Sequence, residues 1–402
     1  MNLLLYVTGS ISSYKAYDLT RELSKKGFDV RVILSKGASK FIKKELFLFL
    51  GASDCYGPED DFSHKQILHI ELARWCDQMV ICPASANTVS KLANGFANDF
   101  GTSTYLALDK SKPCLVFPAM NTKMLDHPGV QKNIKQLQSY NRTHVFPTKS
   151  GLLACNETGE GKLLDVDNIL TLITSFPETT SKKMNILLST GASINPLDDV
   201  RYITNPASGI TGEEIARSLL KDGHFLTVIY GGTNKRLFND FFGHPNLKLI
   251  KATTTKDFHI KTMKEFIGKD VFISSAALSD IEFSYSEGKI KKNNLNGSLK
   301  FNQSIDILLD VLKERKPHQK VIGFAAESDL DPSVIISKLN KKPVDFLVAT
   351  KVDSGITKKI PSKGFLSTKA EYKLYEGETI YFQGELKKTK LAKIISERIA
   401  TW

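Results

Sequence analysis

Apolar runs that end in small or polar residues recur along the first half of the chain. They cover residues 2–8, 28–35, 79–83 and 114–118, and helical patterns separate them, the first of which stops at Gly27. Strands that alternate with helices indicate a parallel, doubly wound sheet. Ligands of such sheets bind at the carboxyl ends of the strands, so we expect the chemistry in the loops that follow these runs.

The same pattern begins again after a polar segment at 175–184, which predicts a linker. Strand-like runs follow at 185–190, 225–232, 270–277, 320–326 and 345–350, with a long loop at 191–212 and a helical pattern at 213–223. A hairpin that turns at Glu376-Gly377 and a helix from about 386 end the chain. The sequence therefore predicts an α/β protein of two doubly wound, Rossmann-like domains at 1–177 and 184–402, with a β-hairpin insertion in the second.

Composition narrows the class of protein. Of 402 residues, 41% are hydrophobic and 24% are charged, which is typical of a soluble globular protein. No apolar run approaches membrane length, and the first lacks the basic start of a signal peptide. The five cysteines occur singly, in no zinc or disulfide spacing, which favours a reducing cytoplasm: Cys55, Cys76, Cys82, Cys114 and Cys155.

The formal net charge of +12 favours anionic partners. The sequence contains no nucleic-acid-binding motif, so small anionic molecules explain the charge better than nucleic acid or a membrane.

Two loops of the first half suit a phosphate and a flat ring. The loop Gly9–Ser13 joins a strand to a helix, where backbone amides and hydroxyls can hold a phosphate, although many α/β turns use Gly-Ser. Residues 83–88 follow another strand with small side chains, which let a ring lie against the backbone. The alternative for the second loop is a helix N-cap at Ser85.

Three single residues carry candidate chemistry. His69 precedes the third strand, and a lone histidine is more often structural than catalytic. Asn121 follows the fourth strand, where it could be only a turn former. Cys155 lies in the glycine-rich segment 151–161, which resembles a mobile loop, and a mobile loop is a poor place for an inert core cysteine.

Taken together, the segments GSIS, HIELARWCD, PASANT, PAMN and ACN-x-x-G-x-G resemble the family of homo-oligomeric flavin-containing cysteine decarboxylases, most closely the phosphopantothenoylcysteine decarboxylases. The resemblance implies a flavodoxin-like domain, with His69 as the catalytic histidine, Asn121 on the substrate's carboxylate or amide, and Cys155 as the acid on a flap. It implies FMN bound by Gly9, Ser10, Ser35, Pro83, Ala84, Ser85 and Asn87. One departure is Leu125, where the family usually has an aromatic residue.

The implied chemistry suits these residue types. Loss of CO₂ from a cysteine needs an electron sink, which flavin can create by oxidising the thiol-bearing carbon to a thioaldehyde. A thiol, with an ordinary pKa of about 8.5, can then return one proton near neutral pH.

The second half has loops suited to a nucleotide. Small residues at 274–280 follow a strand and end in Asp280, and the loop 191–212 is long enough to be functional. In the basic run 289–292, alternation predicts that Lys289 and Lys291 share one face of a strand. Lys338 and Lys342 are spaced to share a helix face. No Walker A motif is present, so a P-loop enzyme is excluded.

These pieces resemble bacterial phosphopantothenate–cysteine ligases that use CTP, through DDVRYITNPASG, SSAALSD, KIKK, SIDIL, IGFAAES and K-x-x-x-K-P-V-D. The resemblance implies that Asn205 contacts an acyl-cytidylate, that Lys289 neutralises charge as pyrophosphate leaves, and that Mg²⁺ helps to bind the triphosphate, through protein ligands that the sequence does not identify. It implies CTP contacts from Ser274, Ser275, Ala276, Asp280, Lys289, Ser304, Ile305, Asp306, Ile307, Phe324, Lys338 and Lys342. The departures are Ala192-Ser193, the missing proline of SIDIL, and Ile210 in place of lysine.

The leading hypothesis is a bifunctional enzyme of coenzyme A biosynthesis. Its second half would join 4′-phosphopantothenate to cysteine with CTP, and its first half would decarboxylate the product to 4′-phosphopantetheine. The alternatives are a flavin-fold cysteine decarboxylase or flavin prenyltransferase with another substrate, and a non-catalytic regulatory protein of this fold. The resemblance also implies a homo-oligomer, with trimeric flavin domains and dimeric ligase domains, and therefore a dodecamer.

Overall fold

The computed structural model of the chain describes residues 1–62, 67–177, 182–291, 300–353, 364 and 367–402. The described chain divides into two compact units, Met1–Ile173 with Asp240–His244, and Thr174–Asn239 with Pro245–Trp402. In the described ranges, none of the helices combines the length and the apolar character that a bilayer span requires.

The first unit is a parallel sheet flanked by helices, with strand order β3-β2-β1-β4-β5-β6. The sheet strands are β1 (Asn2–Val7), β2 (Asp29–Leu34), β3 (Asp54–Tyr56), β4 (Gln78–Ala84), β5 (Cys114–Pro118) and β6 (Thr143–Val145), and a separate hairpin consists of β7 (Lys149–Leu152) and β8 (Thr158–Lys162). The helices are α1 (Lys15–Lys25), α2 (Lys44–Phe49), α3 (Leu68–Trp75), α4 (Ala86–Asn94), α5 (Phe100–Ala107), α6 (Thr122–Asp126), α7 (Pro128–Gln138) and α8 (Val166–Thr174), with 3₁₀ turns at Ile11–Tyr14, Ala38–Lys40 and Asp60–Phe62.

Burial explains why this sheet is parallel. Strand β4 is buried at every position, and β1 at all but its first, because helices cover both faces. Leu4, Ile81 and Val116, from three neighbouring strands, belong to one core cluster with helix residues such as Leu72 and Leu92. Since the chain winds one way from β1 to β3 and the other way from β4 to β6, the switch point lies between β1 and β4.

The second unit repeats this winding and adds an antiparallel hairpin, in the order β13-β12-β9-β14-β17-β18-β19-β20. Its strands are β9 (Asn185–Thr190), β10 (Ile194–Pro196), β11 (Tyr202–Thr204), β12 (Phe225–Tyr230), β13 (Leu247–Lys251), β14 (Val271–Ser274), β15 (Ile281–Phe283), β16 (Phe301–Gln303), β17 (Lys320–Glu327), β18 (Phe346–Lys351), β19 (Lys369–Glu376) and β20 (Thr379–Lys387). Its helices are α9 (Ile210–Lys221), α10 (Thr255–Phe266), α11 (Ile307–Glu314), α12 (Pro332–Lys341) and α13 (Lys388–Ala400).

The core of the second unit lies between this sheet and its helices. Leu187, Phe272 and Val321 of adjacent strands pack with Phe258 and Ile335 of α10 and α12. The switch point of this unit lies between β9 and β14, which are direct neighbours in the sheet. The prediction of a doubly wound α/β fold in each half, with a hairpin in the second, is therefore confirmed.

Three expectations about local structure are wrong. The loop 191–212 contains the hairpin β10–β11, and helix α9 already begins at Ile210. Lys289 and Lys291 lie in an irregular segment, not on a strand, and Lys292 lies outside the described residues. Helix α12 ends at Lys341, so Lys342 does not continue the helix face of Lys338. Residues 178–181 of the predicted linker also lie outside the described residues.

Gly191 provides a test of the close backbone approach between the loops after β9 and β12. Its φ is +83°, and a Cβ atom there would lie 2.1 Å from the Gly231 carbonyl oxygen, whereas Gly268, with φ +76°, has open space around it. We expect Gly268→Ala to cost about 1–2 kcal/mol through backbone strain alone. Gly191→Ala should cost a further ~1–3 kcal/mol through the steric clash.

The two free energies of unfolding can be compared by calorimetry of the full-length variants. Equal losses of stability for Gly191→Ala and Gly268→Ala would contradict a close approach of the backbone at Gly191.

Candidate functional site

Thr8 joins the two strands at the switch point of the first unit. Its buried hydroxyl donates to the Pro83 carbonyl at 2.7 Å and accepts from the Ser85 amide at 2.9 Å. The bond between Cys82 and Pro83 is cis. Thr8 therefore holds the loop after β1 against the loop after β4, and sequence reasoning did not select it.

The loop Gly9–Ser13 lies beside the loop after β2. A Cβ atom on Gly9 would lie 2.9 Å from Cα of Gly37, so the two glycines let the backbones touch. The hydroxyl groups of Ser10 and Ser12 are 3.0 Å apart, and Ser35 accepts a bond from the Ala38 amide at 3.1 Å. The buried Ser13 hydroxyl has no hydrogen-bond partner among the described residues.

Both interpretations of residues 83–88 are compatible with the structure. Ser85 is the N-cap of α4 and accepts from the Thr88 amide at 3.3 Å, as the helix-cap alternative requires. Ala84 is buried at the strand end, and the side chain of Asn87 is exposed. These residues fit a flat cofactor with a phosphate group, because the small side chains leave the backbone accessible and Ser13 carries an unpaired buried hydroxyl.

His69 forms a pair with a buried carboxylate. Its Nδ1 lies 3.0 Å from both carboxyl oxygens of Asp61, whose side chain is 5% exposed. The backbone amide of His69 also donates to Asp61 at 3.1 Å, so the carboxylate fixes the start of α3 as well as the ring. With Nδ1 as the donor, Nε2 is left as the proton acceptor. The acidic residues Glu59, Asp60 and Asp61, a short distance before His69 in the sequence, were the signal that sequence reasoning missed.

Asn121 and Cys155 are brought together although 34 residues separate them. The Asn121 Nδ2 amide donates to Cys155 Sγ at 3.3 Å and to Glu157 Oε2 at 3.1 Å. The Cys155 thiol lies 3.6 Å from the same oxygen of Glu157. The hydrogen bond from Asn121, followed by that from Cys155, holds the pKa of Glu157 below its usual range. Glu157 was not predicted.

Cys155 lies at the turn of a hairpin, not in an irregular loop. Strands β7 and β8 flank it, and Asn156 adopts φ +61°, a left-handed conformation that asparagine tolerates. The other four cysteines are buried, and burial raises the pKa of the Cys82 thiol to about 12. Cys155 is thus the exposed thiol among the five.

Glycines allow this hairpin to lie directly on the loop of Asn121. A Cβ atom on Gly161 would lie 2.2 Å from the Met120 carbonyl, and the Met120 amide donates to the Gly161 carbonyl at 3.0 Å. Thr122 donates to the Glu160 carbonyl at 2.6 Å. Leu125, the departure from the family pattern, is buried at 7% exposure and its amide bonds to the Asn121 carbonyl.

In the second unit a cleft of about 100 Å³, open to solvent, lies at the carboxyl ends of β9, β14, β17 and β18. Of the predicted residues, Ser275, Ala276 and Phe324 line it, together with Gly191, Ser208 and Gly209 of the long loop. Thr190, Thr211 and Tyr372 also line the cleft and were not predicted. The cleft lies at the switch point, where a doubly wound sheet offers its ligand site.

Asn205 lies against the predicted nucleotide loop. Its side-chain amide donates to the carbonyls of Ala277 and Leu278 at 3.1 and 3.3 Å. Asp280 is exposed, and its carbonyl accepts from the Ser304 amide at 2.9 Å, which brings two predicted segments together. Ser193, at a departure from the family pattern, is fully buried and accepts from the Ser279 amide at 3.0 Å.

Lys289 is exposed on a segment that two acidic residues hold. Asp198 accepts from the Ile290 amide at 3.1 Å and Asp199 from the Gly288 amide at 2.9 Å. Because these amides bond to carboxylates instead of to a strand, the alternation predicted for 289–291 does not form. The Arg201 guanidinium beside Asp198 holds the pKa of that carboxyl well below its usual range.

The two lysines of the α12 region pair with different acids. Lys338 forms an ion pair with Glu327, and Lys342 forms one with Asp306 at 2.5 Å. Asp306 also caps α11, while the side chain of Ile307 is buried in the core and Ile305 is 39% exposed. Within the described residues, no three His, Cys, Asp or Glu side chains converge as a metal site.

Comparison with known proteins defines the class. Residues 1–178 match the family model described as Flavoprotein. Residues 181–402 match the model described as DNA/pantothenate metabolism flavoprotein C-terminal domain. The chain is thus a two-part flavoprotein of pantothenate metabolism.

Full-length relatives give the family. The chain is 32% identical to the coenzyme A biosynthesis bifunctional protein CoaBC of Bacillus subtilis, over 87% of this chain and 86% of the relative. It is 30% identical to the protein of the same name from Borreliella burgdorferi, over 87% and 89%. The crystal structure of HAL3 from Cryptococcus neoformans is 32% identical over 43% of this chain and 94% of that one, with a TM-score of 0.39. The chain belongs to the family of coenzyme A biosynthesis bifunctional proteins.

Asp198 provides a test of the second unit. Its folded-state pKa is lowered, so its ionised form stabilises the fold above the unfolded-state pKa of about 3.9, and this contribution is lost as the pH falls through the folded value. We expect Asp198→Asn to lower the melting temperature at neutral pH, and the gap from wild type to shrink below about pH 4. Asp199→Asn, which removes the exposed carboxylate of the same segment but not the Arg201 ion pair, is the comparison and should give a smaller gap at neutral pH.

A melting-temperature gap between Asp198→Asn and wild type that stays constant between neutral pH and pH 3 would show that the Asp198 charge does not hold this segment.

Proposed function

We propose that residues 1–177 decarboxylate the cysteine adduct of 4′-phosphopantothenate with FMN, and that residues 184–402 form that adduct with CTP. Family membership supports both activities of this bifunctional coenzyme A biosynthesis enzyme. The observation that carries the residue assignment is the 3.3 Å contact between Asn121 and Cys155, two side chains that the family chemistry needs at one substrate.

FMN is proposed to lie at the first switch point. Its phosphate would bind the Gly9–Ser13 loop, with Ser35 nearby, and its ring would lie on residues 83–87. The close contact of Gly9 with Gly37 and the unpaired hydroxyl of Ser13 support this position. When bound, FMN supplies the oxidation of the thiol-bearing carbon and its later reduction.

His69 is proposed to accept the proton of the substrate thiol at Nε2. Asp61 supports this role because its carboxylate holds Nδ1 and stabilises the charge that the ring gains. Asn121 would hold the substrate's carboxylate until CO₂ leaves. Cys155 would then donate its proton to the carbon that has lost CO₂.

In the second unit, Asn205 is proposed to contact the acyl-cytidylate that forms from 4′-phosphopantothenate and CTP. The cleft at β9 and β14 lies at the switch point and includes Ala277, whose carbonyl Asn205 binds. Lys289 would neutralise the departing pyrophosphate from its exposed segment. Lys338 and Lys342 would exchange their ion pairs for triphosphate oxygens, with Mg²⁺ carried on the nucleotide.

We also propose a preference for CTP, a trimeric flavin domain with a dimeric ligase domain, and a cytoplasmic location. The first two rest on the resemblance, and the third rests on the cysteine pattern. Ile210 stands at the first position of α9, beside the cleft residue Thr211. We expect weaker contacts to the substrate's phosphate there, since isoleucine cannot replace the charge of a lysine.

The two activities should separate by mutation. Full-length protein given 4′-phosphopantothenate, cysteine, CTP and Mg²⁺ should release pyrophosphate, CO₂ and 4′-phosphopantetheine. Cys155→Ser should lower 4′-phosphopantetheine formation by roughly 10²-fold or more, while pyrophosphate release continues. Asn205→Asp and Lys289→Gln should slow pyrophosphate release and leave decarboxylation of added adduct intact. Normal 4′-phosphopantetheine formation by Cys155→Ser would refute its role as the acid.

Asp61→Asn tests the histidine pair. An asparagine amide would favour the wrong tautomer of His69, so we expect kcat for decarboxylation to fall by roughly 10²-fold. Asp60→Asn, which removes the adjacent charge, is the control and should change kcat less than about threefold. Flavin absorbance of both variants checks cofactor content, and equal kcat values would contradict a role for Asp61.

A further inference from the structure

Asn121 has no unengaged amide hydrogen among the described residues. An asparagine carries two N–H donors and one carbonyl acceptor. The carbonyl accepts from the Lys123 amide at 2.8 Å, which orients the nitrogen outward. The nitrogen then donates to Cys155 Sγ and to Glu157 Oε2. A substrate carboxylate can therefore bind this amide only by displacing one of the two.

Glu157 is the partner that resembles a carboxylate ligand. Its oxygen lies 3.1 Å from Asn121 Nδ2, which is an ordinary hydrogen-bond distance for a bound carboxylate. A glutamate is ionised at neutral pH, and the pKa of Glu157 is lowered further, with Lys123 contributing to that shift. The side chain thus presents the same charge and the same oxygens as the group that the substrate loses.

The hairpin keeps Glu157 at this position through its backbone. The Leu153 amide donates to the Glu157 carbonyl at 2.8 Å, and the Met120 amide donates to Gly161 at 3.0 Å. When its side chain is displaced from Asn121, the carboxylate of Glu157 stays within reach of the incoming one. Two like charges on one amide disfavour each other.

We propose that Glu157 is a specificity-determining residue that competes with the substrate carboxylate for Asn121. This inference rests on the proposed function of Asn121 and Cys155. The carboxylate-bearing substrate binds against Glu157, whereas the product, which lacks that group, lets Glu157 return to Asn121. Glu157 thus weakens substrate binding more than product binding and favours the state in which CO₂ has left.

The test uses two unreactive ligands that differ by one carboxylate. Replacing the cysteine of the substrate by serine gives a carboxylate ligand without a thiol to oxidise, and replacing it by ethanolamine gives the same ligand without the carboxylate. Both are measured as competitive inhibitors of decarboxylation by the full-length, FMN-loaded protein. We expect Glu157→Gln to strengthen inhibition by the serine ligand about three- to tenfold, in line with an exposed charge pair, and to leave the ethanolamine ligand unchanged.

The kinetic constants should move in the same sense. Glu157→Gln should lower KM for the substrate and lower kcat with it, because a charge that disfavours the bound substrate is removed. Glu157→Asp, which keeps the charge, should keep the wild-type preference between the two ligands. Glu160→Gln removes a charge from the same hairpin, where the side chain is exposed, and should change neither ligand.

Three results would overturn the proposal. If Glu157→Gln shifts both ligands equally, or raises KM, the residue supports the hairpin and does not compete with the carboxylate. If wild type decarboxylates the cysteine adduct but the serine ligand binds no more tightly to Glu157→Gln, the competition is absent although the proposed function holds. If wild type neither decarboxylates the adduct nor binds either ligand, the proposed function fails, and this inference fails with it.

Discussion

In both units the direction in which the chain adds strands reverses beside the first strand of the sheet, and the position of each candidate site depends on this reversal. In each sheet the chain leaves the first strand towards one edge and returns on its other side, so the loops after two adjacent parallel strands diverge. Buried contacts at those strand ends keep the crevice in shape. In the first unit Thr8 bonds to Pro83 and Ser85, and in the second the Ala277 amide, in the loop after β14, donates to the Gly191 carbonyl at 2.7 Å. The residues that form the crevice are thus also those that join the two adjacent strands there.

The same winding produces sites of different character because different elements cover the crevice. In the first unit, a hairpin lies on the loop after β5 and brings a thiol to Asn121 through backbone contacts at Gly161 and Glu160. In the second unit, carboxylates position an irregular basic segment, with Asp198 and Asp199 bonded to its amides. The first arrangement fixes one thiol at one side-chain amide. The second leaves the charge of Lys289 on an exposed surface, which suits the charged nucleotide of the proposed function.

Most of the fold was predictable because burial imposes continuous apolar runs on parallel strands. Strands β1, β2, β4, β5, β9 and β17 all ended within two residues of the predicted positions. Among the missed strands of the two large sheets, β3 and β6 have three residues each, too short to form a pattern, and β13 has five residues of which none is fully buried. All three lie at sheet edges. The site residues that sequence reasoning missed act through other residues: Asp61 holds His69, Glu157 holds Asn121, and Thr8 holds Pro83. Their chemistry depends on contacts between segments, which periodicity along the chain does not encode.

The polar groups of the two sites differ in how the chain itself satisfies them. Asn121, Lys338 and Lys342 all pair with carboxylates of the chain, namely Glu157, Glu327 and Asp306. The buried hydroxyl of Ser13 has no partner among the described residues. An unpaired buried polar group costs about 1–3 kcal/mol, whereas a paired one can exchange partners at little cost. A polar group that binds a substrate loses that partner each time the product leaves. A second partner within the chain then avoids the cost of an unpaired group. Under the proposed function, Asn121 and the two lysines can therefore release their ligands at little cost, because each returns to a carboxylate of the chain.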